Sequence, residues 1–261
     1  MVDESATTMT NKLNVKLISM ANFLKDVGQP LVYKVINPLI QVFVKIGITP
    51  NIVTTIGFLL NIVAAIIFIL GADAVHGDLS YVGWGGFVIL FAGLFDMIDG
   101  RLARVSKMES SFGAMYDSVL DRYSELVMFL GICYYLIAQN YFLSSLFAFI
   151  ALIGSIMVSY VRARAEGLGV ECKGGMMQRP ERILLVGISA ILCGLFEVYT
   201  EGEIKAYIPN TEIRIFESIT IFTIPIFVMA VLTNWTAFQR LRDSKIALDK
   251  KDKNKRVPKK I

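Results

Sequence analysis

Apolar residues fill six long blocks of the chain, and short polar or charged segments separate them. Each block approaches the roughly 20 residues that an α-helix needs to cross a bilayer. The pattern therefore predicts an all-α integral membrane protein with six transmembrane helices. The predicted spans are Ile52–Leu70, Tyr81–Arg104, Phe112–Ala138, Phe142–Arg164, Pro180–Phe196 and Ser218–Gln239.

The polar segments divide the chain into an N-terminal segment, a six-span domain and a basic C-terminal tail, at residues 1–46, 47–240 and 241–261. Residues 12–46 mix five lysines with apolar positions. This mixture favours short amphipathic helices in the cytoplasmic membrane interface, interrupted at Pro30 and Pro38. A soluble helical cap fits the same pattern equally well. We expect disorder in Asp243–Ile261, and no signal peptide in the polar first dozen residues.

Composition and charge agree with a membrane protein and predict its orientation. Of 261 residues, 55% are hydrophobic and only 18% are charged, which excludes an ordinary soluble domain. From Arg240 to the C terminus there are ten Lys or Arg against three Asp, whereas Glu197–Glu217 holds five Glu against two basic residues. The positive-inside rule then predicts that both termini are cytoplasmic. We expect the protein in the cell (plasma) membrane.

Four aspartates interrupt the apolar pattern within 26 residues, although carboxylates are costly in membrane segments. Asp96 and Asp99 are three residues apart at the end of the second predicted span. Asp117 and Asp121 are four apart at the start of the third, so each pair shares one helix face. Because a short turn makes the two helices antiparallel neighbours, all four carboxylates converge at the cytoplasmic end of the bundle.

Carboxylates gathered in this way repel one another, and a hard divalent cation relieves the repulsion. Oxygen ligands suit magnesium, manganese or calcium, and the only histidine, His76, lies in a predicted outside loop. Two such cations form a clamp for in-line attack at phosphorus. A simpler interpretation, without a cation, is that the aspartates at the helix ends form ion pairs with Arg101, Arg104 and Arg122. Such pairing explains any single aspartate well, but it explains the set of four poorly.

The spacing Asp96-x2-Asp99-Gly100-x2-Ala103-Arg104-x8-Gly113-x3-Asp117-x3-Asp121 matches the signature of the CDP-alcohol phosphotransferase family at every defined position. The chain resembles that family from about Ile48 to Gln239. The resemblance implies CDP-diacylglycerol as donor, a homodimer, and two divalent cations, magnesium or manganese. It also implies that Asp96, Asp99 and Asp117 ligate the cations, with Asp121 sharing in one site and acting as catalytic general base. The implied nucleotide-binding residues are Gly100, Ala103, Arg104 and Gly113.

A second stretch reads Ser159-Tyr160-Val-Arg162-Ala-Arg164-Ala-Glu166, followed by Arg179-Pro180-Glu181-Arg182. It resembles the corresponding element of prokaryotic phosphatidylinositol-phosphate synthases, which join CDP-diacylglycerol to inositol phosphate. Guanidinium groups hold phosphate bidentately, so the arginines suit an acceptor that already carries phosphate. The resemblance implies that Ser159, Arg162 and Arg182 bind this acceptor phosphate, with Arg179 and Arg240 as further candidates. A role limited to anchoring the spans in the membrane also explains which side the arginines occupy.

Several alternatives stay open at this stage. Glycerol 3-phosphate, the acceptor of a phosphatidylglycerophosphate synthase, also carries phosphate, whereas serine or free inositol does not. Diether and diacyl tails fit the same apolar grooves. An ion-coupled transporter would need carboxylates near the midplane and related repeats, and an aspartyl protease would leave two aspartates without a role. We expect membrane lipid as the surrounding partner and no nucleic acid.

Overall fold

A computed structural model describes residues 29–75, 78–172, 174–200, 204–207 and 214–256, and this part of the chain is almost wholly helical. The helices are α1 (Gln29–Ile46), α2 (Pro50–Ala72), α3 (Ser80–Ser106), α4 (Ser111–Ala138), α5 (Phe142–Gly167), α6 (Arg179–Thr200) and α7 (Thr220–Arg256). Strands β1 (Lys205–Tyr207) and β2 (Arg214–Glu217) pair antiparallel between α6 and α7. The sequence did not predict this hairpin.

Among the described residues, five helices are long and apolar enough to cross a membrane: α2, α3, α5, α6 and α7. Large apolar side chains such as Leu59, Phe87 and Phe149 are about half exposed on them, as a surface facing lipid requires. Helix α4 is long enough to span a membrane, but its apolar part carries more charged residues than those of the five other helices. These residues are Asp121, Arg122 and Glu125. The predicted helical membrane protein is therefore confirmed with five candidate spans, and a sixth span through α4 stays a prediction.

The ends of α2, α3 and α4 follow from local sequence signals. Pro50 stands in the first turn of α2, where its missing N–H costs nothing. Lys107 ends α3 in the left-handed region at φ 55°. Ser110 caps α4 because its Oγ accepts a hydrogen bond of 2.9 Å from the Gly113 N–H. Residues 107–110 alone thus reverse the chain between two long helices.

The main hydrophobic core lies between the long helices. Phe68 of α2 stacks on Phe222 of α7 with ring centroids 6.1 Å apart and meets Tyr135 of α4 edge-on at 6.0 Å. Helices α3 and α6 approach through Gly83 and Gly194, since a Cβ built on Gly194 would lie only 2.7 Å from the Gly83 Cα. Because the start of α3 meets the end of α6, the aspartate-bearing end of α3 lies beside the start of α6.

A second, smaller core lies at the end of the bundle that carries the aspartates. Helix α1 contributes residues one turn apart, which pack on the start of α2 and the end of α3. The core consists of Ile36 and Ile40 of α1, Val53 of α2, and Ile98 and Leu102 of α3. Ile98 and Leu102 flank Asp99, so this core fixes the part of α3 from which Asp99 projects.

Two predictions about the ends of the chain are wrong. Pro38 does not interrupt α1, which is continuous from Gln29 to Ile46, because the packing of Ile36 and Ile40 supports helix on both sides of the proline. Residues 243–256 are not disordered and continue α7 to Arg256. The predictions for residues 1–28 and 257–261, and for His76, lie outside the described residues.

Candidate active site

The four aspartates form the acidic side of the site, at the α3–α4 turn. Asp99 is 4% exposed, and its Oδ2 accepts a hydrogen bond of 2.7 Å from Thr54 Oγ1 on α2. A Cβ built on Gly57 would lie 3.7 Å from Asp96 Oδ1, so α2 also passes close to Asp96. Neither Thr54 nor Gly57 was predicted from the sequence, since no local spacing connects α2 with the aspartates.

The predicted nucleotide-binding residues lie on the same helix ends. A Cβ built on Gly100 would approach only Arg104 Nη2, at 3.9 Å, which leaves open space above this glycine. Gly113 is more confined, since its Cβ would lie 3.0 Å from Ser110 Oγ. Ala103 is half-buried and Arg104 is exposed. The helix surface at Gly100 therefore admits a ligand at close approach.

Arg179, in the first turn of α6, reaches into the acidic side. Its Nη1 pairs with Asp96 of α3, and its Nη2 lies 3.0 Å from Asp121 Oδ1 of α4. The three side chains are only 18–20% exposed. The sequence suggested Arg179 as a phosphate ligand, whereas here it neutralises two of the four aspartates. Asp117 makes no ion pair within the described residues.

The chemistry of the acidic side fits a hard divalent cation. Four carboxylates on two adjacent helix ends supply only oxygen donors, as magnesium and manganese prefer. In the described part of the chain, no three His, Cys, Asp or Glu side chains are arranged to hold a cation. The positive charge among them is instead the Arg179 guanidinium.

A cavity of about 530 Å³ joins the acidic side to the predicted acceptor-binding residues. Helices α4, α5, α6 and α7 all contribute to its lining. The predicted site residues in this lining are Asp117, Asp121, Ser159, Arg162, Arg179, Arg182 and Arg240. We call the four arginines of this set the basic side. The structure thus brings the acceptor set together with two aspartates, while Gly100, Ala103, Arg104 and Gly113 lie outside this lining.

Arg182 and Glu125 form a buried ion pair beside the cavity. Arg182 is 2% exposed and Glu125 4%. Glu125 Oε1 accepts from Arg182 Nε at 3.0 Å and from Nη2 at 2.6 Å, and Arg182 Nη1 donates to the Met177 carbonyl at 2.8 Å. Glu125 was not predicted as a site residue. Its place four residues after Asp121 on the same helix face was the available signal.

Arg240 and Arg162, the remaining arginines of the basic side, differ in burial. Arg240 is 6% exposed and donates to the Gly174 carbonyl from Nε at 2.9 Å and to the Val158 carbonyl from Nη1 at 2.7 Å. Arg162 is 49% exposed and pairs at 2.9 Å with Glu166, one turn further along α5. Of the four arginines, Arg162 has the greatest freedom to move.

The connection between α5 and α6 is held against α7. Gly174 and Gly175 have φ of 126° and 99°, a conformation in which other residues are strained. A Cβ on Gly175 would also lie 2.4 Å from Thr236 Cγ2. Thr236 Oγ1 donates to the Met176 carbonyl at 2.9 Å, next to the carbonyls that Arg182 and Arg240 bind. Helix α7 thereby fixes the start of α6 and its two arginines.

A helical membrane bundle with clustered carboxylates and arginines around one cavity defines a membrane enzyme that handles phosphate groups. The chain matches the model of the family "CDP-alcohol phosphatidyltransferase" over residues 47–208. It belongs to this family, and it is therefore a CDP-alcohol phosphotransferase rather than an ion-coupled transporter. Enzymes of this family use divalent cations.

Named relatives and solved structures agree with the family. Phosphatidylinositol phosphate synthase of Mycobacteroides abscessus is 34% identical over 167 residues, which are 63% of this chain and 72% of the relative. Archaetidylinositol phosphate synthase of Methanothermobacter thermautotrophicus is 33% identical over 158 residues, 60% of this chain and 72% of the relative.

The fold is similar to that of Mycobacterium tuberculosis phosphatidylinositol phosphate synthase. Its crystal structure with CDP-DAG bound gives a TM-score of 0.62 at 27% identity, over 79% of this chain and 92% of that chain. The structure of the same enzyme with manganese and citrate gives 0.61 at 26% identity, over 79% and 87%.

Proposed function

We propose that this enzyme transfers a phosphatidyl group from CDP-diacylglycerol, or the corresponding diether group, to inositol phosphate and releases CMP. The observation that carries the proposal is the shared cavity, in which Asp117 and Asp121 meet Ser159 and the basic side. A phosphate-binding surface beside a carboxylate suits an acceptor that carries both a phosphate and a hydroxyl to be deprotonated. The names of the relatives support the same acceptor.

We assign two divalent cations, magnesium or manganese, to Asp96, Asp99, Asp117 and Asp121. When bound, they supply positive charge to the pyrophosphate of the donor and to the leaving CMP. The nucleotide lies against Gly100, Ala103, Arg104 and Gly113, and the open space above Gly100 supports this placement.

Asp121 is the proposed general base. It takes the proton from a hydroxyl of the acceptor, and the oxygen attacks the β-phosphorus of the liponucleotide. The bond from this phosphorus to the CMP oxygen breaks, and CMP leaves. Two observations support Asp121: it lines the cavity shared with the basic side, and it lies one helical turn from Asp117. General-base action contributes about 10² to 10⁴ in rate.

The basic side holds the acceptor phosphate in this proposal. A guanidinium has five N–H donors. Arg182 uses three of them within the protein, and Arg240 uses two. The remaining donors serve the phosphate, together with Ser159. Arg162 is the third arginine that binds the phosphate. Its ion pair with Glu166 is exposed and therefore weak, so its side chain turns toward a ligand at little cost.

The membrane arrangement is also a proposal. We place α4 across the membrane as the sixth span, with the site and both termini on the cytoplasmic side of the plasma membrane. The basic residues that follow Arg240 support this orientation. Helix α1 exposes Leu39, Val42 and Ile46 beside its packed face, which supports a position in the membrane interface. We propose the division at residues 46 and 240, and a homodimer, on the family resemblance.

The direct test is CMP release by purified protein with CDP-diacylglycerol and Mg²⁺ or Mn²⁺. Radiolabelled inositol phosphate, glycerol 3-phosphate, free inositol and serine are offered separately. We expect labelled lipid and CMP release only when inositol phosphate is the acceptor. Turnover with glycerol 3-phosphate instead would assign the enzyme as a phosphatidylglycerophosphate synthase, and turnover with an uncharged acceptor would contradict the role of the arginines.

A further inference from the structure

We propose that Arg179 is the built-in counter-ion of the carboxylate cluster in the cation-free enzyme, and that divalent cation binding displaces its guanidinium into the neighbouring cavity. This inference rests on the proposed function, because it assigns cation binding to the same aspartates. In this proposal the Arg179 guanidinium contacts the carboxylates before a cation binds and lies in the cavity afterwards.

The ion pairs of Arg179 are the first observation. The guanidinium contacts Asp96 on one helix and Asp121 on another, with 3.0 Å to Asp121 Oδ1. The guanidinium contacts Asp96 Oδ2 and Asp121 Oδ1, so a cation that coordinates these oxygens would compete with it. Two positive charges in a space where the side chains are only 18–20% exposed would repel strongly. Cation and guanidinium are therefore competitors for one position.

The Nε atom of Arg179 is the second observation. It is buried and has no hydrogen-bond partner in the described part of the chain. Buried donors are nearly always satisfied, and an unsatisfied one is costly. The present position therefore satisfies the charge of Arg179 but not all of its donors. A second position in which Nε meets an acceptor, such as a phosphate oxygen in the cavity, removes this cost.

The surroundings of Arg179 permit the side chain to move while its backbone stays. Gln178 N donates to Glu181 Oε2 at 2.8 Å, and the preceding Met177 carbonyl is bound by Arg182 at 2.8 Å. Arg179 itself lines the 530 Å³ cavity. Rotation about its own side-chain torsions therefore carries the guanidinium from the aspartates to the cavity without moving α6.

Arginine-specific labelling of the wild-type enzyme tests this exchange. Purified protein without substrates is treated with phenylglyoxal, with and without saturating Mn²⁺, and labelling at each arginine is measured by mass spectrometry. We expect Arg179 labelling to rise about fivefold or more with Mn²⁺, as for two coupled sites. Arg162, which is 49% exposed, and Arg182, which is 2% exposed, serve as accessible and buried controls that should not change.

Cation affinity gives a second readout that needs no turnover. Mn²⁺ binding is measured by electron paramagnetic resonance for the wild type, Arg179→Gln and Arg162→Gln. We expect Arg179→Gln to bind Mn²⁺ about tenfold more tightly, because the competitor is gone. Arg162→Gln removes the same charge from the same cavity and should change affinity far less.

The outcomes separate this inference from the proposed function. Normal Mn²⁺ binding with unchanged Arg179 labelling, or an Arg179→Gln variant that binds Mn²⁺ like the wild type, would overturn the exchange and leave the transferase proposal intact. Failure of the wild type to bind Mn²⁺ at all would overturn both.

Discussion

The acidic and basic sides of the site meet at one cavity, which two of the aspartates and all four arginines line, but different kinds of structure build them. The aspartates come from two consecutive helices joined by residues 107–110. The arginines come from α5, α6 and α7, and each has a different partner: a surface glutamate, two aspartates, a buried glutamate, or backbone carbonyls. Residues of one type near one cavity therefore differ widely in what they are free to bind.

The comparison teaches that burial separates positioning from binding on the basic side. Arg182 uses three of its five donors, and Arg240 two of its five, to hold α4, α5 and the α5–α6 connection together. Within the described residues, Arg162 pairs only with Glu166, a neighbour on its own helix. Changes on the acidic side should therefore affect chemistry, whereas changes on the basic side should divide between stability and acceptor affinity.

The largest expected effect is on the acidic side. Asp121→Asn should fold but lose about 10²- to 10⁴-fold in turnover, because the general base is gone while shape and size are kept. CMP release measures the loss, and thermal unfolding in detergent checks the fold. Wild-type turnover in this variant would remove Asp121 from the role of base.

The second effect concerns the buried pair. Glu125→Gln leaves the Arg182 charge buried without its partner, and it should destabilise the protein by about 3–5 kcal/mol. Denaturation of the purified protein measures this. The double variant Glu125→Leu with Arg182→Met should recover most of the stability but not the activity. A single variant as stable as the wild type would contradict the structural role of the pair.

The third effect, of similar size, concerns Arg240→Met. This variant keeps much of the volume but loses the hydrogen bonds to Gly174 and Val158, each from a charged donor worth about 1.5–3 kcal/mol. The α5–α6 connection should loosen, which amide hydrogen exchange over residues 174–178 would detect. Thr236→Val, which removes one neutral hydrogen bond to Met176, is the matched milder variant. Equal exchange in all three proteins would contradict anchoring by α7.

The smallest effect on stability is expected for Arg162→Gln. Its ion pair with Glu166 is exposed and should contribute no more than about 1 kcal/mol. The KM for inositol phosphate should nevertheless rise about tenfold or more, because a charged hydrogen bond to phosphate is lost. Glu166→Gln frees Arg162 without removing it and serves as control. An unchanged KM in Arg162→Gln would leave Arg162 with a surface role only.

The positions of the helices and of the aspartates were predictable because they depend on local spacing. Apolar blocks placed the long helices, and separations of three and four residues placed each aspartate pair on one face. The short α3–α4 connection then brought the two pairs to one end. The sequence missed the hairpin β1–β2 and the continuation of α7 to Arg256, since both depend on neighbours that local patterns do not encode.

What the sequence determined by itself is a helical membrane protein with four carboxylates at one end and arginines near them. Only the tertiary structure decided that Arg179 neutralises Asp96, 83 residues away, and that Arg182 pairs with Glu125, 57 residues away. Helical periodicity sets the face of a side chain, but the partner of a long arginine depends on which helices pack side by side. That packing follows from glycine contacts and core shape across the whole bundle.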